Sequence, residues 1–348
     1  MASVKDKITS IQYMRIFAML GIIAFHFTDH SPVDFNSLHS ISLNWWFFAI
    51  ARMGGGIGNC VFVLISGFLL CKKNKLNLSH LFSLYSIVLF YSIFSYYISA
   101  HLKFVPHGLF SQFFPIITAK YWFMSTYFLL IIFVPFINSI LLNFKDKILK
   151  LILLIFCISS IIPTFTLQNY FNINSKIDIF ILLYLVGGFI RIYIYEQKIE
   201  YLIKYRKVLI FLACLIFSLI LFSEFLFAKY TKSISPDFFI WTVEKSPIII
   251  LTVLLFSICI TLKPKLPSFI DLLSQKSFPV YLIHCGMLYP IFFRRLFNPE
   301  NFFDKNYFII WYVFATVSIY FICFVIDIIR NFIFNKLYLL KGIFLIRK

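Results

Sequence analysis

Arg15 and His26 are the most informative polar residues of the first apolar segment. The stretch between them, IFAMLGIIAF, is apolar, and if it is helical the two side chains lie three turns plus about 20° apart and face the same way. Their separation along the helix axis is then about 16 Å. A histidine titrates near neutral pH and can take the proton of a hydroxyl, whereas a fixed cation can stabilise an oxyanion or bind phosphate. The pair therefore indicates proton transfer at one end of a helix face and binding of negative charge at the other.

Ionisable side chains inside a membrane segment are costly, which makes each one a functional candidate. A structural interpretation also exists, because Arg15 can reach back to the lipid headgroups and His26 can hydrogen-bond to a neighbouring helix. Their position on one helix face favours a functional role for the two residues over a structural one. Asp29 follows His26 by three residues and could orient or polarise its ring, although we favour a solvated loop residue.

A second histidine, His284, lies in the apolar segment FPVYLIHCGML, one turn after Tyr281. A single histidine in such a place is more often a hydrogen-bonding core residue than a catalyst. Arg52 precedes the glycine run 54–56 at the start of another apolar segment. Small residues allow close helix approach, and this run matches no phosphate-binding loop.

The composition indicates what kind of protein must position these residues. Of the 348 residues, 61% are hydrophobic and 13% are charged, which excludes a disordered chain, a disulfide scaffold and a coiled coil. An integral membrane protein, with a lipid bilayer as its partner, is what remains. The net charge of +18 is spread between the apolar runs, so we attribute it to membrane topology and expect no nucleic-acid partner. The seven cysteines show no CxxC spacing and are interpreted as apolar fillers, with no metal site.

Apolar runs of about 20 residues predict an all-α polytopic fold with about ten transmembrane helices, forming one domain over 1–348. The predicted spans are 8–28, 53–71, 81–100, 121–142, 148–163, 177–195, 208–228, 240–262, 277–297 and 307–329. A further apolar segment covers 43–51, and a basic amphipathic tail, predicted to be cytoplasmic, covers 330–348.

The distribution of positive charge predicts the orientation of these spans. If the N-terminus is cytoplasmic, the inner segments carry more than twice as many Lys and Arg residues as the outer ones. The positive-inside rule and an even number of spans then place both termini in the cytoplasm. Four tryptophans fall near predicted outer boundaries, as an aromatic belt would: Trp45, Trp46, Trp122 and Trp241.

Four segments resemble, in order, the motifs of the membrane acyltransferase-3 family. They are the arginine and histidine of the first span, VFVLISGFLL at 61–70, YWFMSTYFLLIIFVPFI at 121–137, and FPVYLIHCGML at 278–288. Each motif is weak alone, but all four in order are fairly specific and extend over nearly the whole chain.

The resemblance implies O-acylation of bacterial surface polysaccharides, peptidoglycan or related glycans, by an enzyme of the bacterial plasma membrane. The donor substrate would be cytoplasmic acyl-CoA, usually acetyl-CoA, with no permanently bound cofactor. The acceptor would be a hydroxyl of a surface polysaccharide or a lipid-linked glycan. His26 would be the essential base and Arg15 its essential partner, organising the acyl donor or the oxyanion. Direct transfer and a covalent intermediate both stay open, as does the oligomeric state, a homo-oligomer included.

The sequence departs from the pattern of this family at the start of the third predicted span. Many relatives carry an Arg-x-x-Arg pair there that is thought to bind the donor nucleotide, whereas residues 80–89 read HLFSLYSIVL. Lys72, Lys73 and Lys75 lie nearby and could replace that pair as point charges. Lysines that only set the topology are an equally good interpretation.

A second group of residues could line the pocket: His284, Tyr281, Trp122, Ser66 and Arg52. Trp122 would stack against a sugar ring or anchor its helix at the interface, and both interpretations stay open. Ser66 could carry a transient acyl group, but a Ser-Gly pair at a close helix crossing is the favoured interpretation.

A transporter or flippase of a glycan or lipid is the main alternative to an enzyme. In that case His26, Asp29 and Arg15 would form a polar relay. The predicted spans show no inverted repeat and no paired broken helices, which argues against it. A structural scaffold, the third class, does not explain a cofacial arginine and histidine in one apolar helix. Acyl transfer is the leading hypothesis.

Overall fold

A computed structural model describes residues 8–30, 42–103, 108–166, 176–231 and 243–346, without the side chains of 145, 146, 166, 231 and 337–346. The α-helices in chain order are α1 Thr9–Asp29, α2 Leu43–Leu70, α3 Leu78–His101, α4 Leu109–Phe113, α5 Trp122–Asn143, α6 Lys145–Phe156, α7 Ile162–Thr166, α8 Ile177–Phe189, α9 Glu196–Lys204, α10 Arg206–Thr231, α11 Ser246–Cys259, α12 Ser268–Gln275, α13 Ser277–Cys285 and α14 Phe308–Ile346. π-helical turns occur at Cys157–Ile161, Ile190–Tyr195 and Ile291–Leu296. No strand occurs in these ranges, and the all-α polytopic fold is confirmed.

Eight described helical stretches are long and apolar enough to cross a membrane: Thr9–Asp29, Leu43–Leu70, Leu78–His101, Trp122–Asn143, Lys147–Phe165, Ile177–Lys204, Arg206–Tyr230 and Phe308–Lys336. Two of the ten predicted spans, 240–262 and 277–297, are not single long helices. In the first, the described helix is α11, with 14 residues and a length of about 21 Å at 1.5 Å per residue. A bilayer core is about 30 Å thick, so α11 by itself is too short to cross it upright.

The second of these spans is interrupted in its middle. α13 ends at Cys285, and Gly286 takes an extended conformation with φ −73° and ψ −162°. A side chain at this position would crowd the hydroxyl of Tyr121 and the carbonyl of Leu282. Pro290, which lacks an N–H group, follows before the next π-helical turn. Hydropathy did not reveal the break because the residues on both sides of it are apolar.

The glycine run 54–56 does not interrupt α2, which joins the apolar segment 43–51 to the predicted span 53–71. A Cβ atom on Gly54 would strike the backbone carbonyl of Gly21 in α1, so the missing side chain lets the two backbones meet. This contact compensates for the poor helix propensity of glycine.

The other end of α2 packs against α8 in the same way. A Cβ atom on Gly67 would meet the carbonyl of Tyr184, and one on Gly187 would meet the carbonyl of Leu64. α2 is therefore held between α1 and α8, and its position fixes α1 and the two residues Arg15 and His26.

A buried carboxylate joins α3, α14 and the junction of α12 and α13. The oxygens of Asp327 accept hydrogen bonds from Tyr91 at 2.6 Å and Lys276 at 2.7 Å, and Arg330 lies 3.0 Å away. Asp327 is fully buried. Since the carboxylate is neutralised by two cations, we interpret this cluster as structural.

Two further sequence predictions fall partly or wholly outside the described residues. Trp241 of the predicted aromatic belt is one of them. The predicted tail 330–348 continues α14 as far as Ile346, but residues 347–348 and the side chains from 337 onward are not described.

Candidate functional site

Two cavities lie along α1, one beside His26 and one beside Arg15. The His26 cavity has a volume of about 430 Å³ and is lined by Ile22, Phe25, His26, Asp29, His30, Gly55, Gly56, Asn59, Lys120, Tyr121, Trp122, Lys176, Val243, Tyr281 and Cys285. The Arg15 cavity has a volume of about 220 Å³ and is lined by Arg15, Phe62, Ile65, Ser66, His80, Leu84, Phe123, Met124, Tyr127, Ser274, Gln275, Ser277 and Phe278. The two residues predicted to share a helix face therefore line two separate cavities.

A chain of hydrogen bonds determines which nitrogen of His26 is a base. Nδ1 of His284 lies 2.6 Å from the carbonyl oxygen of Val280, which can only accept, so in the neutral ring Nδ1 carries the proton. Nε2 of His284 is then an acceptor, and it lies 3.1 Å from Nδ1 of His26. His26 accordingly donates from Nδ1, which leaves its Nε2 with a free lone pair. This is the geometry of an oriented general base.

Cys285 completes this group, although the sequence predicted it to be an apolar filler. Its Sγ atom lies 3.4 Å from Nε2 of His284 and 3.5 Å from Nδ1 of His26. Two imidazoles and a thiol form a donor set that could hold Zn²⁺. Sγ is also 3.8 Å from Nε2 of His26. The lone pair on Nε2 of His284 already accepts from Nδ1 of His26 at 3.1 Å, so the three groups fit a hydrogen-bonded cluster better than a metal site.

Asp29 does not orient His26, contrary to one of the sequence interpretations. Its carboxylate lies 3.7 Å from Nδ1 of His30, and the orienting place beside His26 is taken by His284. Asp29 and His30 both line the His26 cavity. Burial lowers the pKa of His30 below its ordinary value, Asp29 opposes that shift and Arg294 adds to it.

An aromatic side chain and two lysines lie on another side of the His26 cavity. Trp122 is 39% exposed, and Nζ of Lys176 lies 6.0 Å from its ring centroid. Lys176 is paired with Glu244 at 2.7 Å. Burial lowers the pKa of Lys120, which also lines this cavity. Trp122 is therefore exposed enough either to stack against a sugar ring or to anchor its helix at the membrane interface.

The Arg15 cavity is lined by a cation, an imidazole and several hydroxyls. Nη1 of Arg15 donates to the amide oxygen of Gln12 at 3.2 Å, and Oγ of Ser274 donates to the same oxygen at 2.7 Å. Oγ of Ser66 donates to the carbonyl of Phe62 at 2.9 Å and lies 3.0 Å from the hydroxyl of Tyr127. The next residue, Gly67, lies at the close contact of α2 with α8, as expected for a Ser-Gly pair at a helix crossing.

A family model described as an acyltransferase domain, acyltransferase-3, matches residues 8–328. The chain belongs to this family. No curated protein and no solved structure matches the chain. The match covers α1 through about half of α14 and includes both cavities. Together with the eight apolar helices, it indicates a multi-pass membrane protein of an acyltransferase family.

The lysines predicted to replace the missing arginine pair of this acyltransferase do not line the Arg15 cavity. Nζ of Lys72 pairs with Glu196 at 2.6 Å, and Lys73 and Lys75 are exposed. His80, at the start of α3, does line the cavity. Its position inside HLFSLYSIVL, where the family motif fails, is the sequence signal that could have found it.

Arg52 was also predicted to line the pocket of the acyltransferase. It is 3% exposed in α2 and is not among the residues that line the two cavities beside α1. Tyr281 and Trp122 line the His26 cavity and Ser66 lines the Arg15 cavity, while His284 is fully buried behind His26.

One pair of aromatic rings separates the two cavities of the acyltransferase. Phe123 lines the Arg15 cavity and Tyr281 lines the His26 cavity. Their ring centroids are 5.9 Å apart at an interplanar angle of 62°. A group that passes from one cavity to the other along this side has to pass these two rings.

Proposed function

We propose that this chain transfers an acyl group, acetyl by preference, from cytoplasmic acyl-CoA to a hydroxyl of a cell-surface or lipid-linked polysaccharide. The observation that carries the proposal is the hydrogen-bonded chain from Val280 through His284 to His26. It leaves a lone pair on Nε2 of a cavity-lining imidazole in a chain that belongs to an acyltransferase family. Membership in that family favours this reaction over a transporter.

His26 acts as the general base in the proposed reaction. Nε2 takes the proton of the sugar hydroxyl as the oxygen attacks the acyl carbonyl, because a neutral hydroxyl is a weak nucleophile. The proton on Nδ1 stays bonded to His284, which stabilises the imidazolium that forms. When the carbon–sulfur bond breaks, the imidazolium returns the proton to the leaving thiolate. An oriented base of this kind contributes about 10²–10⁴-fold to the rate.

Arg15 organises the acyl donor in the second cavity. The guanidinium matches phosphate geometry, and the hydroxyls of Ser66, Tyr127 and Ser274 supply polar partners along the same wall. His80 takes the place in α3 where many relatives carry arginine. The donor-binding role proposed for Lys72, Lys73 and Lys75 is weaker, since none of them lines this cavity.

We place the protein in the bacterial plasma membrane with both termini in the cytoplasm. The Arg15 cavity then faces the cytoplasmic pool of acyl-CoA, and the His26 cavity faces the glycan. The excess of Lys and Arg in the predicted inner segments supports this orientation. Trp122 and Lys120 then meet the glycan from one side of the His26 cavity. No permanently bound cofactor enters the proposed reaction.

The test compares surface polysaccharide from cells that carry the wild-type protein, the His26→Ala variant or no protein. Proton NMR of the purified glycan, before and after mild alkali, counts the alkali-labile acyl groups and identifies their type. We expect the O-acyl signal to be present with the wild type and absent from the other two strains.

A matched control is His101→Ala, because His101 is an exposed histidine at the end of α3 that lines neither cavity. This variant should retain the O-acyl signal. An O-acyl signal that persists with His26→Ala at the wild-type level would remove His26 from the mechanism. An unchanged acyl content with less glycan at the surface would instead favour a transporter.

A further inference from the structure

We infer that Cys285 carries the acyl group as a thioester between the acyl donor and the glycan. The inference rests on the proposed acyl transfer and names its intermediate. Cys285 lines the His26 cavity, and its Sγ atom lies 3.5 Å from Nδ1 and 3.8 Å from Nε2 of His26. The sulfur is therefore placed where an acyl group bound to it would be next to the general base.

The hydrogen-bonded chain from Val280 through His284 makes Cys285 and His26 a cysteine–histidine pair. Nε2 of His284 already accepts from Nδ1 of His26 at 3.1 Å, so the free lone pair is on Nε2 of His26. This nitrogen lies 3.8 Å from Sγ of Cys285 and can take the thiol proton. A nucleophile, a base and a third group that orients the base are the elements of covalent catalysis. His284 is the third group here, because it orients His26.

The other six cysteines, all within the described residues, have different surroundings. Sγ of Cys60 and Sγ of Cys71 contact backbone carbonyls, at 3.8 Å and 3.7 Å. Cys157 and Cys214 are exposed on the outside of their helices. Cys285 is the cysteine whose sulfur contacts two imidazoles, and it lines the same cavity as His26.

Because the two cavities are separate, a thioester on Cys285 would hold the acyl group in the His26 cavity. Phe123 and Tyr281 stand between the Arg15 cavity and the His26 cavity, with ring centroids 5.9 Å apart. A carrier on the far side of these rings requires only the thioester end of the donor to reach past them. The acyl group then stays with Cys285 after the rest of the donor has left.

Both steps balance in atoms and charge. In the first, Sγ of Cys285 attacks the carbonyl carbon of acyl-CoA, Nε2 of His26 takes the thiol proton, and the carbon–sulfur bond to CoA breaks. The CoA thiolate then receives that proton. In the second, the sugar oxygen attacks the acyl-cysteine, His26 takes the hydroxyl proton, and the Cys285 thiolate leaves and is reprotonated by His26. The first step exchanges one thioester for another and so is close to even in free energy, and the second converts a thioester to a more stable ester.

The experiment incubates the purified full-length protein with acetyl-CoA labelled in the acetyl group, in the absence of glycan, and then denatures it. We expect one acetyl group per chain on the wild type, released by neutral hydroxylamine as thioesters are, and found on the peptide that contains Cys285. Cys285→Ala should lose the label entirely. Cys157→Ser, an exposed cysteine away from both cavities, should keep it.

Cys285→Ser tests the same point with a side chain of similar size. It should either stay unlabelled or hold an acetyl group that resists neutral hydroxylamine, because an oxygen ester is less reactive than a thioester. A wild type without label, or a Cys285→Ala variant with as much label as the wild type, would overturn the inference. If Cys285→Ala cells also kept their glycan O-acyl groups, transfer would be direct and the proposed function would stand. If no strain contained O-acyl groups, the proposed function itself would have failed.

Discussion

The two cavities along α1 differ in how their polar groups are satisfied. At the His26 cavity, imidazole, imidazole and backbone carbonyl form one chain in which each member determines the protonation of the next. At the Arg15 cavity, the guanidinium donates to the neutral amide of Gln12 and is surrounded by hydroxyls. The first arrangement controls where a proton is, and the second presents positive charge to a ligand.

This difference separates chemistry from binding along a single helix. Substitutions at the His26 cavity should lower kcat with little change in KM for the acyl donor, because the base acts only in the transition state. Substitutions at the Arg15 cavity should raise KM for the donor. Substitutions at four residues test this division of roles, and the largest effect is expected at His26.

His26→Ala removes the base and should lower kcat by about 10²–10⁴-fold. Binding of acyl-CoA should change little, since His26 does not line the Arg15 cavity. Steady-state transfer assays and direct binding of labelled acyl-CoA measure the two effects separately. A large loss of acyl-CoA binding would contradict the division of roles between the two cavities.

Arg15→Ala should raise KM for the acyl donor by roughly 10- to 100-fold, since a charge-assisted hydrogen bond contributes about 1.5–3 kcal/mol. Arg15→Lys keeps the charge without the planar fork and should recover part of this loss if charge dominates. The measurement is KM against kcat for both variants. A pure kcat defect would indicate that Arg15 acts on the oxyanion instead.

His284→Leu removes the acceptor that orients His26 and should lower kcat by about tenfold or more, the equivalent of one charge-assisted hydrogen bond. His284→Gln keeps an acceptor oxygen and should restore part of the rate. His284 is a positioning residue for His26, so this rescue distinguishes its role from simple packing. Equal rates for the two variants would contradict the role.

Ser66→Ala should change activity by less than about tenfold, because its hydroxyl bonds locally to the Phe62 carbonyl and to Tyr127. The variant tests the alternative in which Ser66 carries the acyl group. Complete loss of activity in this variant, together with an acyl label on Ser66 of the wild type, would favour that alternative over Cys285.

The sequence predicted the site residues that share one helix, but it predicted few of the contacts between helices. The shared face of Arg15 and His26 follows from helical periodicity, a local property of the chain. The partner of His26 is 258 residues away, in α13, and no local pattern reports such a contact. Lys72 is a second case. It pairs with Glu196, which is 124 residues away in the sequence, and it does not line the Arg15 cavity.

Cys285 and Gly286 illustrate the same division at the level of single residues. In the sequence Cys285 was one of seven scattered apolar fillers, and only the approach of α1 to the end of α13 placed it beside two imidazoles. Gly286 ends α13 although the residues around it are apolar enough for a continuous span. Both cases depend on contacts with other helices, which composition does not contain.

The sequence alone determined that this is an all-α membrane protein with a cofacial arginine and histidine in its first helix, and its motifs determined the family. These properties depend on hydropathy and helical period, which act over a few turns of one chain segment. The tertiary structure decided which groups surround each of the two residues, because helix packing brings together side chains that are far apart in sequence. Through the approach of α13 to α1, it decided that His26 is oriented by His284 and accompanied by Cys285.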